Sequence, residues 1–315
     1  MNVDKPITRR ESIKKMLKLS GGLAIAGAVT WPHASALIAA TSSGDKKFIA
    51  EAIGQSDGYS IKALTRSVFE AAGGMNRFVS NGDVVVIKPN LSWARRPELA
   101  ATTHPEVLQA VVELCQEAGA KKVRIADNTI HDARQCFALS GAGLVAKNTG
   151  SDLIYPRSSL MRNMKLQGRR VNVWPVFVPL MEADVLINLP VAKHHSASSL
   201  TLGMKSWFGG VGGLRGNLHQ DIHQTIVDLA QFFKPTVTLI DAIRIMTQNG
   251  PSGGSTSYVQ AKNTLILSDD PVAADARAAL LFNRKPEDLG FIRLAQQQGL
   301  GTYGFQKLSE KRVVL

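Results

Sequence analysis

Basic and imidazole side chains are concentrated between residues 193 and 223. The cluster begins with Lys193-His194-His195, continues with Lys205 and ends with His219 and His223, so four of the seven histidines fall within residues 194–223. Neutral imidazoles transfer protons or bind metal near neutral pH, and a lysine can hold an anion or attack a carbonyl. The pattern therefore indicates a catalytic or binding site.

The same residues also have a structural interpretation, which the sequence leaves open. A histidine is often a surface or hydrogen-bonded core residue, and Gly209 to Gly213 could form a flexible turn. His219 and His223 are four residues apart, a spacing that suits a shared metal on one helix but also suits the flank of a packed helix over 220–233. Clustering after a predicted strand favours the site, because reactive groups concentrate on loops held by rigid elements.

The predicted strands explain how distant side chains would meet. The apolar run Val185–Leu189 predicts a buried strand that delivers Lys193–His195 to its carboxyl end. Lys88-Pro-Asn90, Asp127 and Asp241 follow three other predicted strands in the same way. Ligand sites of open α/β sheets lie at the carboxyl ends of the strands, so we expect these groups to share one cleft.

Each of these residue types has an expected role at such a cleft. We expect His195 to be the catalytic base, Lys205 to be a second catalytic residue, and an aspartate to orient an imidazole or complete a metal site. The predicted substrate-binding residues are Lys88, Asn90, Lys193 and His194. The predicted metal ligands are Asp127, His219, His223 and Asp241. The residue types are compatible with a divalent metal and do not identify it.

Strand and helix patterns alternate along the chain from residue 47 onward. Alternation of this kind predicts an α/β fold, with a mostly parallel sheet and helices on both faces. Residues 37–315 would form this α/β domain, and the polar stretch 155–168 is the best candidate for a boundary between two lobes. A helix is predicted over 200–208, directly after the histidine pair.

The first 36 residues have the features of an export signal. Arg9-Arg10 and nearby lysines precede a weakly apolar stretch, Leu19 to Thr30, and Ala34-Ser35-Ala36 offers a small-x-small cleavage site. The apolar stretch is shorter than the roughly 20 residues of a membrane-spanning helix. We therefore predict a twin-arginine signal, the export machinery as a partner, a periplasmic or exported location, and no transmembrane segment after processing. A general secretory signal and an uncleaved anchor are the alternatives.

Composition and charge restrict the class of protein and of ligand. A hydrophobic content of 44% with 20% charged residues excludes the disordered and fibrous classes. The net charge is +12, and the export signal accounts for +4 of it with six basic and two acidic residues. No arginine-rich run with interleaved aromatics is present, so we expect a small anionic ligand rather than nucleic acid. Only Cys115 and Cys136 occur, which excludes a four-cysteine iron–sulphur or zinc site within the chain.

Several segments resemble the DUF362 family, a family of domains of unknown function. They occur in the family's order and lie at 86–91, 102–107, 192–195 with 203–209, 241–253, 269–275 and 299–301. Many members of the family carry an additional ferredoxin-like segment with cysteine clusters. This chain has no such clusters, so no iron–sulphur cluster is expected in it.

A more distant similarity links 183–223 to the core of the nickel-dependent lactate racemases. That family places a cofactor-bearing lysine ten residues after a catalytic histidine, followed by a glycine-rich turn and a metal-binding histidine. The resemblance implies an acid/base role for His195, a cofactor anchor at Lys205, and a metal ligand at His219 or His223. The family's early aspartate-x-threonine-arginine motif is replaced here by Lys88-Pro-Asn90.

Three functions fit these observations. The first is an exported, racemase-like enzyme that transfers a proton at a carbon of a small hydroxy or keto acid, with or without metal assistance. The second is a periplasmic protein that binds an anion or a metal without catalysis. The third is a maturation partner of an exported redox complex, which the iron–sulphur relatives of the family favour. Twin-arginine export moves folded proteins, often with their cofactor, and this favours the first and third.

Overall fold

The computed structural model describes residues 46–55 and 58–315 of the chain. The predicted twin-arginine signal at 1–36 lies outside these residues and stays a prediction. Within the described ranges, no helix has both the length and the apolar character needed to cross a membrane.

One large sheet organises the fold. Its order is β12-β1-β11-β10-β7-β2-β3-β4, and β8 pairs with β10 and with β9. Every pair along this order is parallel except the two made by β11, so the prediction of a mostly parallel sheet is confirmed. The strands are β1 (Phe48–Ile53), β2 (Val84–Pro89), β3 (Lys122–Ala126), β4 (Asp152–Ile154), β5 (Met161–Lys165), β6 (Val173–Phe177), β7 (Val185–Leu189), β8 (Val191–His195), β9 (Ser199–Thr201), β10 (Val237–Met246), β11 (Val259–Ser268) and β12 (Ser309–Val314).

Helices cover both faces of this sheet, as the alternation predicted. Their bounds are α1 (Ile61–Ala71), α2 (Pro105–Glu117), α3 (Ala133–Leu139), α4 (Ala142–Thr149), α5 (Ile222–Phe233), α6 (Pro271–Leu280) and α7 (Gly290–Gln297). Alternate residues of a strand point to opposite faces. Val85 and Ile87 of β2 thus join the core under α1 to α4, whereas Val86 joins the core under α5 to α7. Both faces of the central strands are buried, which explains their continuous apolar runs.

Capping side chains set where several helices begin. Ser60 accepts a hydrogen bond from the Ala63 N–H at the start of α1, and Asp270 accepts from two N–H groups of α6. Pro105 and Pro271 occupy the first turns of α2 and α6, where a missing N–H costs nothing. These local signals explain why α1, α2 and α6 begin at Ile61, Pro105 and Pro271.

Two local predictions around the histidine pair are wrong. Lys193–His195 do not form a loop after β7, because Pro190 ends that strand and Val191–His195 form β8. The helix predicted over 200–208 is replaced by β9 and a short 3₁₀ segment, Lys205–Gly210. Pairing of β8 with both β10 and β9 stabilises the extended conformation here.

The stretch 155–168, where the sequence predicts a lobe boundary, contains β5. This strand forms a hairpin with β6, in a separate two-stranded sheet. Met161, Met164 and Trp174 of the hairpin pack against the core that α5 to α7 cover. The hairpin also contacts the glycine-rich loop, because Val176 pairs with Val211 and Gly212 lies against Met161 and Pro175.

Candidate functional site

A buried ion pair lies at the carboxyl ends of β2 and β3. Lys88 Nζ is 2.8 Å from Asp127 Oδ1, with side-chain exposures of 1% and 0%. The other Asp127 oxygen accepts the Leu91 N–H at 2.7 Å. Lys88 also donates to the Pro89 carbonyl (2.8 Å) and to Ser206 Oγ (3.0 Å), so its three donors are all engaged. The structure thus brings Lys88 and Asp127 together as predicted, but it leaves Lys88 no free donor for a substrate.

The segment that follows Lys205 passes directly over this ion pair. A Cβ at Gly209 would overlap Asp127 Oδ1 and would lie 2.9 Å from Lys88 Nζ, so only glycine fits there. The Gly209 carbonyl accepts the Asn128 N–H at 2.8 Å, and Asn128 Nδ2 donates to the Val211 carbonyl at 2.7 Å. The glycines after Lys205 therefore serve close packing against the loop after β3, and Gly209 to Gly212 are buried rather than flexible.

Arg215 is a fourth cation of this site, beside Lys88, Lys193 and Lys205, and it was not predicted from the sequence. Its guanidinium donates to the carbonyls of Asn128 (2.7 Å), Thr129 (2.6 Å) and Phe208 (3.3 Å). The Arg215 side chain thus hydrogen-bonds both to the loop after β3 and to the segment that begins at Lys205. No local pattern marks this arginine, because its partners lie up to 87 residues away along the chain.

Asp275 of α6 fixes the turn before Lys205. Its carboxylate is fully buried and accepts the N–H groups of Gly203 (2.6 Å) and Met204 (3.0 Å). Asn188 of β7 donates its side-chain amide to the Gly203 carbonyl at 2.8 Å. Burial raises the Asp275 pKa to about 7. No role for Asp275 was predicted from the sequence, and the structure shows that it positions the backbone ahead of Lys205.

Lys193 of β8 is buried beside the loop that follows β2. Its amine donates to the Ala101 carbonyl and lies 3.3 Å from Asn90 Oδ1. Asn90 is itself held through its N–H, which donates to Thr103 Oγ1 at 2.9 Å. The predicted substrate-binding residues Lys193 and Asn90 are therefore in contact with each other, and each keeps a donor group that no described residue accepts.

Lys205 is the one lysine of the group with no hydrogen-bond acceptor among the described residues. Its amine lies 3.2 Å from the centroid of the Phe208 ring, and its exposure is only 6%. A buried amine without an acceptor loses hydration that no protein group replaces. Among the described residues, the Phe208 ring is thus the group that contacts this amine, and no hydrogen-bond acceptor offsets its burial.

His195 and His219 stack next to Lys205. Their ring centroids are 5.7 Å apart with an interplanar angle of 14°, and His219 also meets the Phe208 ring edge-on. His195 Nδ1 accepts from the N–H groups of Ala197 (3.1 Å) and Ser198 (3.3 Å), so its proton is on Nε2. His219 Nδ1 lies 3.1 Å from the Arg215 carbonyl, which can only accept, so His219 Nε2 carries a lone pair.

These tautomers, assigned from the hydrogen-bond partners, change the role expected for His195. Backbone N–H groups occupy its only lone pair, so His195 presents a donor to the site rather than a base. His219 presents the acceptor. The sequence correctly placed the two histidines near Lys205, but only the backbone around Ala197 and Arg215 decides which nitrogen is protonated.

Burial and mutual repulsion lower the pKa values of the whole cationic group. Desolvation lowers the pKa of Lys193 to about 7 and of His195 to about 3. The Lys205 pKa falls well below its ordinary value, first because of burial and then because Lys193, Arg215 and Lys88 lie nearby. Asp127 is the one acidic group in the described ranges that raises the pKa of any of these cations. The site is therefore short of negative charge.

The four predicted metal ligands do not gather at one place. Asp127 is paired with Lys88, and His219 stacks on His195. His223 packs against Phe291 and Gly290 of α7, because α5 begins only at Ile222 and the helical spacing does not include His219. Residues 46–55 and 58–315 contain no group of three or more His, Cys, Asp or Glu side chains arranged to hold a metal ion. The four residues therefore do not fit one shared metal.

Asp241 lies inside β10 rather than at its end, and in the described part of the chain it makes no ion pair with the site lysines. Its carboxylate is buried and accepts the N–H groups of His104 (2.7 Å) and Ile243 (3.0 Å), and burial raises its pKa to about 6. The first of these bonds holds His104, which is the N-cap residue of α2. The expectation that Asp241 orients a site imidazole is therefore not matched by its contacts.

His194 is held by the loop after β10. Its Nδ1 accepts the Gly250 N–H at 3.1 Å, and the peptide bond from Gly250 to Pro251 is cis. A Cβ at Gly250 would overlap the His194 carbonyl, which explains the glycine at this position. His194 and His195 are consecutive residues of β8, and both line one open pocket of about 290 Å³.

Two solved structures are similar to this fold. The lactate racemase apoprotein from Thermoanaerobacterium thermosaccharolyticum aligns with a TM-score of 0.41 and 13% identity, over 75% of this chain and 57% of that one. A protein from Thermotoga maritima aligns with a TM-score of 0.41 and 11% identity, over 77% and 60%. This chain thus spans less than two thirds of either.

Sequence comparison gives a closer relationship. A thylakoid-associated protein of Synechocystis sp. is 30% identical over 256 residues, which cover 76% of each chain. The family model for DUF362, a domain of unknown function, matches residues 85–279. The matched region contains the ion pair, the three site lysines, Arg215 and the stacked histidines. Because the model spans more than half of the chain, this protein belongs to the DUF362 family.

Proposed function

We propose that this protein is an enzyme that binds a small organic anion and moves a proton at a carbon next to its carboxylate or carbonyl group. The observation that carries the proposal is Lys205, a buried amine with no acceptor in the described part of the chain. Lys193 and Arg215 add positive charge around it, and Asp127 is already paired with Lys88. An anionic ligand supplies both the missing acceptor and the missing charge.

The side chains around Lys205 divide the chemistry between them. The Lys205 amine binds the carboxylate of the ligand, and His195 Nε2–H donates to the neighbouring carbonyl or hydroxyl oxygen. With a pKa of about 3, His195 stays neutral at working pH, and a neutral imidazole can stabilise a developing enolate oxygen. His219 Nε2 accepts the proton from carbon. The buried cations stabilise the negative charge that develops on the ligand.

Hydrogen–deuterium exchange at carbon tests this proposal without knowledge of the product. The protein is incubated in D₂O with glycerate, lactate, pyruvate and 2-oxoglutarate, and the C–H signals are followed by ¹H NMR. We expect exchange next to the carbonyl or carboxylate group of at least one acid, and we expect Lys205→Met to abolish it. Binding of these acids without exchange would instead support the anion-binding alternative, and neither binding nor exchange would reject both.

Anion binding is also expected to take up protons. Without ligand, burial and neighbouring cations hold the pKa values of Lys205 and Lys193 below their ordinary value, Lys193 to about 7. A bound anion raises both, so at pH 8 an amine that was neutral becomes protonated. Binding should therefore weaken as the pH rises above 7, by up to about tenfold per unit for each proton taken up.

Calorimetric titration of pyruvate at pH 8 in HEPES and in Tris measures this uptake, because the two buffers differ in ionisation enthalpy. We expect the binding heat to differ between the two buffers. This difference should shrink in Lys205→Met and persist in the control Lys262→Met, which replaces a lysine of β11. Equal heats in both buffers for the unsubstituted protein would contradict the role given to Lys205.

A further inference from the structure

The pocket beside His195 is too large for a three-carbon acid. Its volume is about 290 Å³, close to the lower end of the range for sites that bind drug-sized ligands, roughly 300 to 1,000 Å³. His195 forms part of its wall, and Lys205 is the cation that acts most strongly on His195. The pocket thus adjoins the Lys205 cluster, and His195 is common to both.

The lining of this pocket is rich in donors and contains no acidic side chain. Arg284, Gln260 and Asn283 contribute a guanidinium and two amides, and Ser196 and Ser199 contribute hydroxyls, whereas the Thr247 hydroxyl already donates to the Tyr258 carbonyl at 3.0 Å. His194 also lines it, and because its Nδ1 accepts the Gly250 N–H, its Nε2 carries a proton. Such a set of donors matches an oxygen-rich anionic group.

The end of α6 places Arg284 at the pocket. Asn283 adopts a left-handed backbone conformation (φ 55°) just past the helix, and the Arg284 N–H returns to the Ala279 carbonyl at 3.2 Å. This is a common way for a helix to end, and it turns the chain back over its last turn. In the described ranges the Arg284 guanidinium has no hydrogen bond or ion pair with the protein, so it is available to a ligand.

We propose that this pocket is a second anion subsite, which binds a phosphate or carboxylate at the far end of the same ligand. The inference rests on the proposed function, because it assumes that the ligand's first carboxylate lies at Lys205. A second anion subsite implies that the natural ligand is a hydroxy acid or keto acid that also carries a phosphate or a second carboxylate. Arg284 is then a specificity-determining residue that takes no part in proton transfer.

Matched pairs of acids test the subsite directly. Glycerate is compared with 3-phosphoglycerate, and pyruvate with 2-oxoglutarate, by calorimetric titration of the full chain. We expect the longer member of at least one pair to bind about 10- to 100-fold more tightly, since it adds a charge-assisted contact. The pair that shows the gain identifies the second group as phosphate or carboxylate.

The variant Arg284→Ala should remove this gain and leave the short acids unaffected. Lys285→Ala is the matched control, since it removes a neighbouring exposed cation that does not line the pocket. Equal affinity for long and short acids, or equal weakening of both by Arg284→Ala, would overturn the subsite and leave the proposed function standing. Failure of every acid to bind would overturn both.

Discussion

Replacing His195 with alanine is expected to slow deuterium exchange into the bound acid by about 10²- to 10⁴-fold, the usual effect of losing a group that assists proton transfer. Binding of the acid should persist, because the Lys205 amine that holds the carboxylate is unchanged. The measurement is the exchange rate at saturating acid, with the dissociation constant determined separately.

One further variant, His195→Gln, tests how His195 acts. Glutamine at 195 offers an amide N–H near the position of Nε2, so His195→Gln should retain part of the rate if the residue acts as a hydrogen-bond donor. Equal loss in His195→Gln and His195→Ala would show instead that the imidazole itself carries the proton. His223→Ala is the matched control, because His223 packs on α7 away from Lys205, and it should exchange at nearly the normal rate.

Replacing Asp127 with alanine is expected to lower the free energy of unfolding by about 3 to 5 kcal/mol, the cost of breaking a buried ion pair by removal of one partner. The substitution removes both the charge opposite Lys88 and the acceptor of the Leu91 N–H. It also leaves the positive charge of Lys193 and Arg215 without compensation. Urea unfolding measures the loss as a lower midpoint at unchanged slope.

An exposed ion pair at the amino ends of β3 and β4 provides the control. Asp152 of β4 lies 2.7 Å from Lys122 of β3, with side-chain exposures of 40% and 45%. Solvent screens such a pair, so Asp152→Ala should cost less than about 1 kcal/mol. The double variant Lys88→Met, Asp127→Ala should recover part of the loss, because it leaves no unpaired buried charge. Similar midpoints for Asp127→Ala and Asp152→Ala would contradict this account.

The parallel sheet and part of the candidate site could be predicted from local sequence alone. Apolar runs marked β2, β3 and β7, and parallel strands end on the same edge, so the meeting of Lys88 and Asp127 followed from the order of the residues. The position of Lys205 near His195 was likewise predicted from a short segment. These features depend on periodicity and strand direction, which neighbouring residues determine.

Only the tertiary structure decided the roles of the remaining groups. Asp241 was predicted to end a strand as Asp127 does, but it lies inside β10, and its carboxylate holds the N-terminal cap of α2 because the chain after β2 returns to that position. His219 and His223 diverge because α5 begins between them. Arg215 donates to the Asn128 carbonyl, 87 residues away along the chain, and Asp275 accepts the Gly203 N–H, 72 residues away. The sequence determined which side chains reach the edge of the sheet. Long-range hydrogen bonds, which no local pattern encodes, decided which of them remain free to meet a ligand.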